Sequence, residues 1–594
     1  MGEDRADGDS QGRGSVESTT HVTAGAEGNP TTAATILAVL GAAGVKTIFG
    51  VPGVHNRAFW GPTAGTPRIV EARSERAAGH AADGYARASG RLGVAIVASG
   101  PSASSAVTAF GEAWASGSPV LLIGSEPPAA RRRPGQVRGL LHEMADQSVL
   151  FAQMAKAVYH ASSSLAAVEA VTRAAATAMT SPRGPVYVGI PADVLVERIP
   201  AHLTVPPKVT SPRAVGPSPA GLEAALDLLA SSRRPVLWIG GGAVQSEAAG
   251  PAADLAWRLG APVVATLAAR GVLPTGHPLL VDAPVHEAEV AALLSEADLV
   301  LALGTAFEGP TTNDWTVSVP DQILSVNTNP EHLDRGYPAQ VALIADVALV
   351  CERLAVRLPA RQPWADSVFR IGPAVRGRLA NDVRTRPIVD LLASVESAWP
   401  TESPIVCDMS VAGFWIGGYA ARSLPRTLEA PVGWGTAGFA LPAAAGAALA
   451  ARDIRPARPT RDRPNERGPG GRPRRRVLAV LGDRAAAMDA GELATLVQED
   501  LDVTVLVVED GGHDLLRDGS FGLEPSGADQ PLQSDLIGPD WLAVAAAYGI
   551  PAEEVSDPGP ALRDALERAV VATGPRFVLL RYRFTPPRNG SPIG

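Results

Sequence analysis

Two apolar, β-branched runs in this chain each end in carboxylate, and the distance between them restricts what they can build. Val477-Leu-Ala-Val-Leu-Gly-Asp483 and Val503-Thr-Val-Leu-Val-Val-Glu-Asp510 place Asp483 and Asp510 27 residues apart. Between them, Ala490–Glu499 carries apolar residues at helical spacing, at Leu493, Leu496 and Val497. The unit reads strand, helix, strand. In a parallel α/β sheet the carboxyl ends of the strands line the ligand crevice, so both acids are expected to project into one site. Two carboxylates there suit Mg²⁺ holding a diphosphate. Taken alone, the segment is equally consistent with two acids that end their strands in solvated turns.

The same alternation recurs along the 594 residues, a length that calls for about three domains. A first block, 29–200, opens with a helix through Ile36, Leu37 and Leu40. Strands are expected at Val45–Gly53 (ending in a tight turn), Gly93–Ala98, Pro119–Ile123 and Pro185–Ile190. A second, 214–357, offers Pro235–Gly242, Ala261–Thr266, Leu299–Gly304 and Gln322–Asn327; the third spans 385–586. Strands alternating with helices in each predict an α/β fold of three doubly wound parallel-sheet domains. Residues 1–28 are polar, without the apolar core of a signal peptide, and are expected to be a disordered tail. Residues 452–476, with ten Arg and five Pro and no apolar period, are expected to be a flexible surface insertion.

Composition narrows the function classes. A net charge of -9 argues against a nucleic-acid partner held through phosphates. Only Cys351 and Cys407 occur, far apart, which disfavours a disulfide framework or a cysteine metal site and fits a reducing cytoplasm. The uncharged stretch Ala430–Ala451 is long enough for a membrane span. Its glycines, Pro431 and Pro442, with few bulky apolar residues, make it instead a buried glycine-rich turn entering a helix.

A second acid carries the rest of the argument. Glu75 lies in Arg73-Ser-Glu75-Arg-Ala-Ala-Gly-His-Ala-Ala-Asp-Gly-Tyr-Ala-Arg87, followed by Gly90-Arg-Leu-Gly93 and Gly111-Glu-Ala-Trp-Ala-Ser-Gly-Ser-Pro119. A Glu that opens an alanine-rich helix is ordinarily a partner of the helix dipole. In this company, however, it resembles the pyrimidine-binding domain of thiamine diphosphate (ThDP) enzymes. Gly482-Asp483-Arg484 and Glu509-Asp510 resemble that family's diphosphate motif, which opens Gly-Asp-Gly and closes Asn-Asn at this same spacing. Phe49-Gly-Val-Pro-Gly53, Glu143 with Asp146-Gln147, Lys156, Gly240-Gly-Gly242, Pro539-Asp-Trp541 and Ala547-Tyr-Gly549 extend the likeness from 30 to 585, the insertion excepted. Acetolactate synthase-like decarboxylases and carboligases are the branch it looks most like.

The resemblance implies a set of roles. Glu75 would hydrogen-bond N1' of the cofactor's aminopyrimidine, and the thiazolium would accept the electrons released as CO₂ leaves a 2-oxo acid. Asp483, Asp510 and the Gly512 carbonyl would hold Mg²⁺. Pro52, Gly100, Ser105, Gly435, Thr436, Ala437, Gly482, Arg484 and Ala485 would line the cofactor. His55 and His142 border the substrate loops of related enzymes, and His513 follows Asp510 closely enough to reach substrate or phosphate. For each histidine an ordinary surface position is the alternative. Pyruvate decarboxylation with ligation to a second oxo acid is the default activity, and simple decarboxylation of a bulkier 2-oxo acid the runner-up. A homodimer or homotetramer, with its active sites between subunits, is implied. Some members bind FAD in the middle domain, but three glycines after a strand are needed for a tight turn anyway and supply no basis for assigning it.

Four departures stand out. Arg484 replaces a glycine at the diphosphate; Glu509-Asp510 replaces Asn-Asn; Gly100-Pro-Ser102 and Ser105 replace Gly-Pro-Gly and its Asn; and Ala437 stands where a large apolar wedge, often Met, is usual. Ala437 and Arg484 support an alternative in which the chain keeps the fold but serves as a regulatory or scaffold subunit.

Overall fold

The computed structural model describes residues 29–61, 65–133, 135–200, 214–431, 433–454, 475–512 and 537–587. Three parallel sheets form the architecture, as the alternating pattern predicts. The first contains β1 (Thr47–Gly50), β2 (Arg68–Glu71), β3 (Gly93–Val97), β4 (Val120–Glu126), β5 (Ala157–His160) and β6 (Val186–Pro191), in the order β2-β1-β3-β4-β6-β5. The second contains β7 (Pro235–Ile239), β8 (Val263–Ala265), β9 (Leu299–Leu303), β10 (Ile323–Asn327) and β11 (Val341–Ile344), ordered β11-β10-β9-β7-β8. The third contains β12 (Ile405–Cys407), β13 (Leu428–Glu429), β14 (Val477–Gly482), β15 (Val503–Glu509), β16 (Ala552–Val555) and β17 (Arg576–Arg581), ordered β13-β12-β14-β15-β17-β16.

The first and third sheets therefore repeat one strand order. In each, the chain reverses its winding direction between the first strand and the third, and that is where an open α/β sheet forms a crevice at its carboxyl edge. The reversals fall between β1 and β3, and between β12 and β14. Central strands such as β3, β9 and β14 are buried on both faces, which is why they read as unbroken apolar runs. Edge strands β5, β11 and β16 are half exposed; β5 and β16 are mixed in character, and β11 is a short apolar run of four residues.

Two small-residue helices join the first and third domains. The Glu75–Ser89 helix begins at Ser74, whose hydroxyl accepts the Ala77 N–H at 3.1 Å, and stops at Gly90, in left-handed conformation. The Ala440–Asp453 helix is buried from Ala440 to Ala450, so the uncharged stretch is a core helix entered by a glycine-rich turn. The two helices cross with backbone against backbone. A Cβ built on Gly84 would lie 2.2 Å from the Ala443 carbonyl oxygen, and one on Gly446 would lie 2.0 Å from that of Ala81. Only glycine permits this approach.

In the central domain Gly240-Gly-Gly242 packs against its own sheet. The Gly242 N–H donates to the Gly304 carbonyl at 2.9 Å, and a Cβ at Gly240 would lie 2.4 Å from the Thr305 Cα. Cys351 and Cys407 are both free and buried. Among the described residues no helix is long and apolar enough to cross a membrane. The expected tail, 1–28, lies outside the described residues, as does 455–474 of the expected insertion. The ends of that insertion belong to the fold, which corrects its expected limits. Asp453 closes its helix and accepts from Thr47 Oγ1 at 2.8 Å and the Tyr85 hydroxyl at 3.0 Å. Arg476 is buried, donating to Thr504 Oγ1 at 2.6 Å and to the Val503, Ala572 and Gly574 carbonyls.

Candidate active site

β14 ends at Gly482, and Asp483 opens the next helix, Asp483–Met488, where a carboxylate favours the positive end of the helix dipole. Its Oδ1 accepts the Arg484 N–H at 2.8 Å. Gly482 is registered beside Val508 of β15, so the carboxyl edges of these two neighbouring strands bring Asp483 next to Glu509 and Asp510. Glu509 is engaged elsewhere, in an ion pair with Arg581. Burial pushes its pKa up, Arg581 opposes that, and the Asp483 charge adds to it. Asp510 turns the other way, its Oδ1 accepting the Gly512 N–H at 3.0 Å in a turn where Gly511 has φ +76°.

No three His, Cys, Asp or Glu side chains converge as a metal cage among the described residues. Two carboxylates and a carbonyl nevertheless suit Mg²⁺, which takes one or two carboxylates and fills its remaining positions with water and phosphate oxygens. Ala485 is buried behind this edge and Arg484 is exposed. His513 lies outside the described residues.

Across the β12–β14 crevice runs the turn 435–440. Gly435 and Gly438 both adopt positive φ, at +74° and +86°, so glycine is required at each. Three buried or partly buried charged side chains hold it. Asp408, which follows β12 and is wholly buried, accepts the Gly438 N–H at 3.0 Å and the Ala440 N–H at 2.7 Å. Glu112, buried in the first domain, accepts the Thr436 N–H at 3.3 Å while pairing with Arg87. Arg76 donates to the Ala437 carbonyl at 3.2 Å and pairs with Asp489 at 2.7 Å. The Thr436 hydroxyl is buried without a partner, and Ala437 is half-buried.

Glu75 is half-buried at the first position of its helix, and its carboxylate has no hydrogen-bond partner among the described residues. Its neighbours tie that helix end to the third domain. Besides the Arg76 contacts, the Arg73 N–H donates to Glu492 Oε1 at 2.7 Å.

The reversal between β1 and β3 gathers the remaining expected residues. His55 Nδ1 lies 2.5 Å from Ser99 Oγ, and its ring meets that of His142 edge-to-face at 5.9 Å. Burial, then the neighbouring His142, lowers the His55 pKa. His142 holds φ +61° and its Nδ1 is buried without a partner. Gly100, also at positive φ, donates its N–H to Gln147 Oε1 at 2.7 Å, and a Cβ there would strike His142 at 2.9 Å. Gln147 is locked in turn by the Ser125 carbonyl and the Tyr187 hydroxyl. Pro52 is exposed at the rim and Ser105 half-buried on the short helix after Gly100. Glu143 and Lys156 serve the scaffold. Glu143 accepts the Arg138 and Leu140 N–H groups, and Lys156 caps the Thr177 and Thr180 carbonyls, its pKa lowered to about 8 by burial. Asp408, Glu112, Arg76 and Gln147 were not among the residues expected to shape the site. Arg76, Glu112 and Gln147 fall inside quoted motifs, but their partners lie too far off in sequence for spacing to reveal them.

Comparison with known proteins gives a consistent assignment. Three family profiles match in order: the thiamine pyrophosphate enzyme N-terminal TPP binding domain over residues 30–150, the central domain over 222–354, and the C-terminal TPP binding domain over 408–580. A "probable 2-ketoarginine decarboxylase" of Pseudomonas aeruginosa is 34% identical over 91% of this chain and 92% of its own length. A "probable acetolactate synthase large subunit" of Methanocaldococcus jannaschii is 26% identical over 91% and 90%. The fold matches a thiamine diphosphate-dependent 4-hydroxybenzoylformate decarboxylase of Rhodococcus jostii with TM-score 0.75 and 23% identity, covering 93% of this chain and 99% of that one.

Proposed function

The chain belongs to the thiamine pyrophosphate enzyme family, and from that premise we propose that it binds ThDP with Mg²⁺ and decarboxylates a 2-oxo acid. The observation that carries the reading is the β12–β14 crevice. Asp483 follows β14 and Asp510 follows the neighbouring β15, while Asp408, which follows β12, holds the 435–440 turn.

In this reading Asp483, Asp510 and the Gly512 carbonyl hold the metal against the diphosphate, and the exposed Arg484 adds a cation there. Gly435, Thr436 and Ala437 present backbone groups to the aminopyrimidine, and Glu75 holds a proton at its N1' atom. The bound cofactor supplies the electron sink for the bond broken as CO₂ leaves. His55 and His142, with Gly100 packed against His142, receive the substrate. The lowered pKa of His55 keeps it neutral at neutral pH, so that it orients the substrate by hydrogen bonding.

The fate of the decarboxylated product divides two readings. The relative at 34% identity favours release after simple decarboxylation of a bulkier 2-oxo acid, whereas the acetolactate synthase relatives favour ligation to a second oxo acid. Family members place Glu75 and the metal site of different subunits together, so a homodimer or homotetramer is part of the proposal.

The test is Glu75→Gln, assayed for CO₂ release across a panel of 2-oxo acids. Removal of a general acid/base group lowers the rate by about 10²- to 10⁴-fold. Equal rates in wild type and variant would sink the enzyme reading. Failure of the wild type to bind millimolar ThDP would favour the non-catalytic subunit instead.

A further inference from the structure

The turn 435–440 connects the third sheet to its core helix, and such a turn would ordinarily hold its shape through its own short-range bonds. Here its amides are taken by distant buried carboxylates. Asp408 is wholly buried, and both of its oxygens are used. Oδ1 receives the Met409 N–H at 2.8 Å and the Gly438 N–H at 3.0 Å, and Oδ2 receives the Ala440 N–H at 2.7 Å. Asp408 is itself fixed at the sheet edge, its N–H donating to the Val480 carbonyl of β14 at 2.9 Å. From the opposite side Glu112 divides its oxygens between Arg87 and the Thr436 N–H. A buried carboxylate that accepts several backbone N–H groups defines the path of that backbone, because any other path leaves both charge and donors unsatisfied.

We propose that Asp408 and Glu112 are positioning residues that together hold the 435–440 turn in the shape that receives the cofactor. Neither touches the reacting atoms. Asp408 sets the turn relative to β14, whose next residue is Asp483, and so fixes the spacing between the metal edge and the turn. Glu112 sets the same turn relative to the first domain of its own chain. The cofactor role of the turn rests on the function proposed above; the clamp itself does not.

Asp408→Asn keeps size but exchanges one acceptor for an N–H₂ donor, so Gly438 or Ala440 must face a donor. Amide hydrogen exchange at residues 436–440 of the ThDP-free full-length protein, with calorimetric ThDP binding in Mg²⁺, reads the effect. The expected result is at least tenfold faster exchange at Gly438 and Ala440, at least tenfold weaker ThDP binding, and unchanged exchange in β7–β11. Wild-type exchange rates in the turn of a folded Asp408→Asn protein would overturn the clamp. If Asp408→Asn does not fold, Glu112→Gln decides: faster exchange at Thr436 upholds the clamp and an unchanged rate overturns it. If wild type binds no ThDP, the functional reading falls and the exchange result alone judges the clamp.

Discussion

Adding one methyl group at Gly84 should separate the first and third domains. A Cβ at Gly84 would lie 2.2 Å from the Ala443 oxygen, 2.6 Å from its Cα and 2.7 Å from its carbonyl carbon, where ordinary contact begins at 3.4 Å. All three atoms are backbone of a buried helix, so no side-chain rotation relieves the overlap and the helices must part by roughly 1 Å. Overpacking of this kind costs about 1–3 kcal/mol, and the upper end applies when the obstacle is backbone. Alanine gains about 1 kcal/mol over glycine in a helix, which leaves a net loss of about 2 kcal/mol. Gly250→Ala is the control, since it also lies in a helix but has nothing within 4 Å of the added atom. Calorimetric unfolding should show Gly84→Ala lowering the midpoint and Gly250→Ala leaving it unchanged or raising it. ThDP affinity should fall only in Gly84→Ala, because the crossing helices position Glu75 and the 435–440 turn. Midpoints that moved upward together would refute the close-packing argument.

Ala437→Met should tighten ThDP binding by restoring several buried methylenes at about 0.8 kcal/mol each; unchanged affinity by calorimetry would mean that another side chain already fills the space. Asp483→Asn, or chelation of Mg²⁺, should weaken ThDP binding at least tenfold while leaving thermal unfolding of the cofactor-free protein nearly unaltered, and equal affinity with and without chelator would remove Asp483 from the metal site. His80 is fully buried beside Phe439 with neither ring nitrogen paired, and burial, with Arg76 and Arg87 adding, lowers its pKa from 6.5 to about 3. The unfolded chain therefore binds this proton more readily, so stability should fall as pH drops below 6.5, by about 2 kcal/mol at pH 5. His80→Leu should abolish that part of the acid slope, and parallel midpoints for wild type and variant between pH 7 and 5 would contradict it.

The sequence displayed the parts of the fold whose cause is local. β14 and β15 were legible because strands buried on both faces must be apolar throughout, and the acids that end them mark the edge where burial stops. β13, two residues long, and the half-exposed β16 carry no such mark. The same division applies to the site. The Glu75 helix, the 435–440 turn and the pair Asp483 and Asp510 lie in compact motifs, whereas the contact between the His55 and His142 rings, 87 positions apart, could not be read from spacing. Asp408 escaped notice because one acid after a three-residue strand has no period, and the amides it holds are 30 and 32 positions away. Arg76 was hidden in plain view, since a second charged residue in a helix's first turn ordinarily faces solvent, whereas this one reaches the Ala437 carbonyl and Asp489.

Arg476 and Asp453 anchor the described chain on either side of 455–474. Each is fastened by its own side chain, Asp453 to Thr47 and Tyr85, Arg476 to Thr504 and three carbonyls, so the chain leaves and re-enters the third domain at two fixed posts. A longer or shorter connection between those posts should leave β14 and Asp483 in place, which an unaltered unfolding midpoint of a length variant would check. Because loop-closure entropy rises only by about 0.6 kcal/mol for each doubling of length, the position can accept a shortened linker, an affinity tag or a whole inserted domain.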